Sequence, residues 1–174
     1  MIKYLPRLII IFLLASFTLY GSLKSFYNNK ITIDSFTYEV KPNSSILDLY
    51  NGIYESNNFF DKSLFLLGIY LFDFRTIQAG EYLIDDSLFK VLTRMKLGET
   101  ITYKFVISDG TNKFDLNSYI NTLKLNNNCE DFSCIDLIND SIEGLLLPDT
   151  YFYKKNTNLS LLLKKSSSEL ISYV

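Results

Sequence analysis

The stretch Ile142-Glu143-Gly144-Leu145-Leu146-Leu147-Pro148-Asp149-Thr150-Tyr151 sets one carboxylate against a glycine, then an apolar run, then a proline turn. A glutamate beside apolar side chains is poorly hydrated, and poor hydration raises a carboxyl pKa. An acid kept protonated near neutrality suits proton donation to a leaving group. Taken alone, the segment equally fits a loop carboxylate that caps a helix or meets solvent, so two readings of Glu143 stand side by side. Asp149 reads as the brace of the turn after Pro148.

Working outward, the composition narrows the chemistry. The chain has 174 residues, 48% of them hydrophobic, enough for one ordinary domain or two small ones. Its formal charge is −2 and it has no dense Lys/Arg cluster, so no basic field attracts nucleic acid. It contains no histidine. That removes Ser-His-Asp and Cys-His nucleophiles and histidine metal ligands. Acid or base work near neutrality falls to a tuned carboxylate, lysine, tyrosine or cysteine. Cys129 and Cys134 flank Glu130-Asp131-Phe132-Ser133. Two thiols alone make no structural zinc site, so no metal is expected and no cofactor. The pair reads either as a small-loop disulfide of an exported domain or as two free thiols.

Leu8 to Leu23 carries no charged residue, with Lys3 and Arg7 before it and Lys24 and Lys30 after it. The run is slightly short of the ~20 residues of a typical span, and snorkelling by Arg7 and Lys24 supplies length. A cleaved signal peptide is the rival, but Ser16 to Ser22 lacks a clean small-residue cleavage pattern. The reading adopted is an uncleaved single-pass anchor in the inner (cytoplasmic) membrane. Lys3, Arg7 and the amino terminus lie on the cytoplasmic side, and the bulk of the chain is extracytoplasmic.

Residues 24 to 34 read as a short polar linker. Phe36, Tyr38 and Val40 alternate with polar neighbours, a half-buried strand. Pro42-Asn43-Ser44 signals a helix start, and Ile46, Leu49, Tyr50 and Ile53 follow at helical spacing. Asn57-Asn58 breaks that helix, and Asp61 or Ser63 caps the next. Gly80 to Ile84 reads as a strand returning beside the first, completing a β-α-α-β unit. A third helix runs from Ser87 to Lys96 and ends at Gly98. Ile101 to Ile107 alternates as another strand, and Asp109-Gly110 marks a turn. Thr111 or Asn112 opens a helix through Tyr119, Ile120 and Leu123. Residues 125 to 141 read as loop with a short helix around Cys134 to Ile138, and a last helix starts near Asn158. One strand and two helices from residue 101 onward make a poor independent core.

Several motifs together resemble the endolytic murein transglycosylase family, the MltG or YceG-like proteins. They are Phe36-Thr37-Tyr38-Glu39-Val40 with Pro42-Asn43-Ser44-Ser45, Ile77-Gln78-Ala79-Gly80-Glu81-Tyr82, Leu92 to Gly98, Phe105 to Gly110, and most specifically Glu143 to Tyr151, close to "E-G-x-x-x-P-D-T-Y". Ser108-Asp109 replaces the family's usual Pro-Glu. The resemblance implies an α+β chain in three parts. Residues 1–30 form the transmembrane anchor and linker, residues 35–100 a LysM-like subdomain, and residues 101–174 the first, incomplete part of the catalytic domain. It implies that Glu143 is the catalytic acid and that nascent peptidoglycan glycan strands are the substrate. Peptidoglycan synthases are its implied partners. Asp149, Thr150 and Tyr151 become candidate substrate contacts. Tyr151 and Tyr153 either stack on a sugar face or pack in the core. The resemblance also implies that the family's later glutamate-bearing helix lies beyond this sequence. Two other readings remain: a non-catalytic, membrane-anchored glycan-binding or scaffold protein, and an unrelated envelope protein with a small α+β domain.

Overall fold

The computed structural model describes residues 5–31, 34–54, 58–135 and 144–173. Glu143 lies outside them, as does most of the short helix expected at 134–138. The described chain is mixed α+β and divides into two units, one up to Thr100 and one from Ile101 onward.

The first unit begins with helix α1, Leu5–Asn28. From Pro6 onward it is long and apolar enough to cross a membrane. Strand β1 (Phe36–Val40) and strand β2 (Gly80–Ile84) pair antiparallel, from Phe36 opposite Ile84 to Val40 opposite Gly80. Between them run α2 (Ile46–Ile53) and α3 (Phe59–Leu71), and α4 (Leu88–Leu97) follows β2. Local chemistry sets these ends. The Ser45 hydroxyl accepts from the Asp48 N–H while the Asp48 carboxylate accepts from the Ser45 N–H, a capping box. Asn58, rather than Asp61 or Ser63, caps α3: its side-chain oxygen takes the Phe60 N–H at 3.1 Å. The amide reaches one turn earlier than the expected caps and satisfies a donor of the first turn. Gly98 ends α4 at φ 72°, a left-handed position that favours glycine.

The linker expected at 24 to 34 is helical as far as Asn28, a little over one further turn. Leu23, Phe26 and Tyr27 recur at i, i+3 and i+4, so they share one face, and that face is buried in the core with Tyr50, Phe65, Ile69 and Leu92. The Tyr27 hydroxyl donates to the Phe65 carbonyl at 2.6 Å. Its ring lies so close to α3 that a Cβ at Gly68 would fall 2.2 Å from it. Polar Lys24 and Asn28 lie on the exposed face of the same stretch of helix, and exposed Asn29 follows it. The apolar helix is thus continuous with the folded unit.

The second unit is a two-stranded antiparallel sheet with its own core. Strand β3 (Thr102–Val106) pairs with β4 (Thr150–Lys154), from Thr102 opposite Lys154 to Val106 opposite Thr150. Helix α5 (Lys113–Ile120) follows β3, and α6 (Leu159–Tyr173) follows β4. The expectation of one strand and a poor core is corrected by β4. Its Tyr151 and Tyr153 point inward, while Phe152 and Lys154 are exposed, the two-residue alternation of a half-buried strand. They join Phe105, Ile107, Leu116, Ile120, Phe132, Leu159 and Leu163 in one cluster. Cys129 and Cys134 are disulfide-bonded, with Cα atoms 5.3 Å apart. The polar run before them caps α6: the Asn128 side-chain oxygen accepts the Ser160 N–H at 3.1 Å, and the Asn126 carbonyl accepts the Leu159 N–H at 2.9 Å.

Candidate active-site cleft

Within the second unit lies a cleft of about 450 Å³. One side is formed where β3 runs into the turn before α5, by Ile107, Ser108, Gly110 and Thr111, with Leu116 of α5. The opposite side is Gly144, Leu146 and Pro148, and Leu170 of α6 contributes its side chain. The lining therefore mixes apolar side chains with polar groups, Ser108 and Thr111 being its hydroxyl-bearing residues among those described. Gly144, the residue after Glu143 in sequence, is part of that wall and sits at φ 76°. That left-handed conformation costs a side chain about 1 kcal/mol or more and is free for glycine. Apolar side chains with a few placed polar groups are the ordinary make-up of a small-ligand site.

The loop 144–149 is held by specific bonds. Ile107 N–H donates to the Asp149 carbonyl at 3.0 Å and so extends the β3–β4 ladder into the loop. The Asp149 carboxylate accepts the Thr150 N–H at 2.6 Å, the bracing of the turn that its position after Pro148 predicts. The Leu147 carbonyl accepts two hydroxyls, Tyr151 Oη at 3.0 Å and Ser166 Oγ at 3.2 Å. Ser166 is fully buried. Burial pushes the Tyr151 phenol up, the Ser166 hydrogen bond opposes that, and the nearby Glu169 and Asp149 carboxylates add to it. The phenol therefore stays a neutral donor at physiological pH.

Of the residues expected to touch substrate, Asp149 ends the loop and Thr150 and Tyr151 begin β4, and none of the three is among the residues that line the cleft. Asp149 is exposed, and Thr150 is half-buried opposite Val106. Tyr151 is 3% exposed, with its ring beside Phe105 in the core and the Lys165 ammonium 5.9 Å from the ring centre. Its ring positions the loop from below. Tyr153 is likewise a core ring, 5.7 Å from Tyr103, and its oxygen accepts the Lys124 N–H at 3.3 Å. Asp109 is exposed in the turn closed by Thr111 N–H on the Ser108 carbonyl. No group of three metal-ligating side chains occurs among the described residues. Ser166 is the positioning residue that sequence reading passed over. Its signal was present: Leu159, Leu162, Leu163 and Ser166 fall on one helical face, so the serine is buried with the leucines.

The second unit is thus a small α+β fold with a cleft walled in part by Gly144, Leu146 and Pro148, and the chain also carries an apolar N-terminal helix. The YceG-like family model matches residues 38–172, and the chain belongs to the YceG-like family. No curated protein matches the chain. Among solved structures, a crystal structure of a yceG-like protein from Listeria monocytogenes is similar at 18% identity with a TM-score of 0.40. The match covers 82% of this chain and 55% of that one, so the chain spans about half the length of that solved relative.

Proposed function

We propose that this chain belongs to a membrane-anchored endolytic murein transglycosylase. Its substrate is the nascent peptidoglycan glycan strand, cut at the β-1,4 bond between N-acetylmuramic acid and N-acetylglucosamine. Glu143 is the reactive group. Its protonated carboxyl donates to the glycosidic oxygen as the C1–O bond breaks, and the bonding pair leaves with that oxygen. The resulting carboxylate then takes the proton from the C6 hydroxyl of the muramoyl sugar, and that oxygen attacks C1. A 1,6-anhydro ring forms, the glutamate regains its proton, and no water is consumed. A second carboxylate to activate water, as hydrolases use, is not needed. Neither is histidine, metal or cofactor.

One observation carries this reading: the family match takes in the whole Glu143–Tyr151 segment, and the described part of that loop walls the cleft. The same reading places α1 in the inner membrane with the two units outside it, the first of them LysM-like, and makes peptidoglycan synthases the natural partners. The test is digestion of peptidoglycan by the full-length gene product, with mass spectrometry of the released glycans. Products ending in 1,6-anhydro-N-acetylmuramic acid, lost in Glu143→Gln, support the reading. Reducing muramic acid ends overturn the lytic route, and an intact, folded protein that releases nothing favours a scaffold.

A further inference from the structure

The length of α1 and its packing do not fit a simple anchor on a tether. The uncharged run from Leu8 to Leu23 spans roughly 24 Å at ~1.5 Å per residue, against a hydrocarbon thickness of ~30 Å. Large apolar side chains from Leu8 to Tyr20 are exposed, but Leu23 is 4% and Tyr27 1% exposed because the first unit already covers them. Filling the bilayer with this helix therefore brings the part of the unit wrapped around Leu23 down to the membrane surface. That part carries exposed and partly exposed apolar side chains. Phe72 and Phe89 contact each other at 5.6 Å and line a 220 Å³ groove with Tyr20, Leu23, Lys24 and Tyr27 of α1. Beside them at the end of α3, Tyr70 is 69% and Leu71 56% exposed. The Arg75 guanidinium lies 5.5 Å from the Tyr70 ring centre. Aromatic rings with adjacent Arg and Lys are the chemistry of the bilayer interface. Lys24, Arg75 and Lys96, against Asp73, leave the rim cationic, which favours anionic headgroups.

We propose that Tyr70, Leu71, Phe72 and Phe89 form a collar around the emerging helix that inserts into the headgroup and upper acyl region of an anionic bilayer. The first unit is then seated on the membrane in one orientation. This rests on reading α1 as the anchor, and the experiment separates the two. The chain contains no tryptophan, so single-tryptophan variants of the full-length protein report depth cleanly. Leu14→Trp, Leu71→Trp and Phe59→Trp are reconstituted in vesicles of phosphatidylethanolamine and phosphatidylglycerol carrying brominated acyl chains. Leu14→Trp reports the anchor, and Phe59→Trp the opposite end of α3. The collar predicts loss of emission for Leu14→Trp and Leu71→Trp, with a blue shift of Leu71→Trp on reconstitution, and unchanged emission for Phe59→Trp. Quenching of Leu14→Trp with Leu71→Trp unaffected overturns the collar and keeps the anchor. Equal quenching of Leu71→Trp and Phe59→Trp overturns it too, since the unit is then not seated by one end of α3. No quenching of Leu14→Trp removes the anchor and the collar with it.

Discussion

Ser166→Ala and Tyr151→Phe, made singly and together, test how the cleft loop is held. Both hydroxyls end on one acceptor, the Leu147 carbonyl, at 3.2 and 3.0 Å. Each single substitution removes one hydrogen bond and leaves the carbonyl a partner, so each is expected to cost about 1 kcal/mol. The double variant leaves the carbonyl without either hydroxyl, and an unsatisfied acceptor at a partly buried site costs about 1–3 kcal/mol. The pair should therefore be coupled: the double variant loses about 1 kcal/mol more than the two singles added together. Urea unfolding of the detergent-solubilised protein, followed by far-UV circular dichroism, measures it. Because the same loop carries position 143, product release from peptidoglycan should fall further in the double variant than in either single one. Additivity within about 0.3 kcal/mol would show that the hydroxyls act independently, and the account of a shared carbonyl would be wrong.

Other expectations follow from particular contacts. Gly68→Ala puts a Cβ 2.2 Å from the buried Tyr27 ring and should destabilise by about 1–3 kcal/mol in the same urea assay, whereas Gly21→Ala, with nothing within 4 Å, should not. Replacing both Cys129 and Cys134 by serine opens a loop of sequence separation 5 and should cost about 2 kcal/mol on the loop-entropy account, with the reduced wild type showing the same loss. Burial raises the phenols of Tyr82, Tyr151 and Tyr153 above their ordinary 10.0. Below that value folded and unfolded chains hold the same phenolic protons; above it the unfolded chain releases them first, so stability is lost as pH rises through the folded values. Tyrosinate absorbance should rise together with loss of circular dichroism above pH ~10.

Much of the fold was legible because its signals are local. The alternation at Phe36, Tyr38 and Val40 marks β1, and Gly98 and Asn112 stand where the helix ends require them. Two elements were misread for a shared reason, that a residue type was given one meaning. Thr150 to Lys154 drew attention as part of a site motif, although the inward Tyr151 and Tyr153 spell a strand that completes the second core. Lys24 and Asn28 read as linker, although they are the wet face of a helix whose other face holds Leu23, Phe26 and Tyr27. The cap of α3 was placed a turn late because Asp61 and Ser63 are equally good capping types, and only the backbone geometry selects Asn58. At the cleft, the turn-bracing task of Asp149 was readable from its place after Pro148. The Ser166 contact was not, because it joins residues 19 positions apart that come together only once β4 and α6 are packed.

The central claim is that one carboxyl group, at position 143, gives and then reclaims a proton on a muramoyl glycan. The most direct measurement is mass spectrometry of glycans released from purified peptidoglycan by the full-length protein, run in water enriched in oxygen-18. The account predicts anhydromuramoyl ends free of the heavy isotope, and none at all from Glu143→Gln. Heavy-oxygen incorporation at the new ends, or undiminished release by Glu143→Gln, would contradict it.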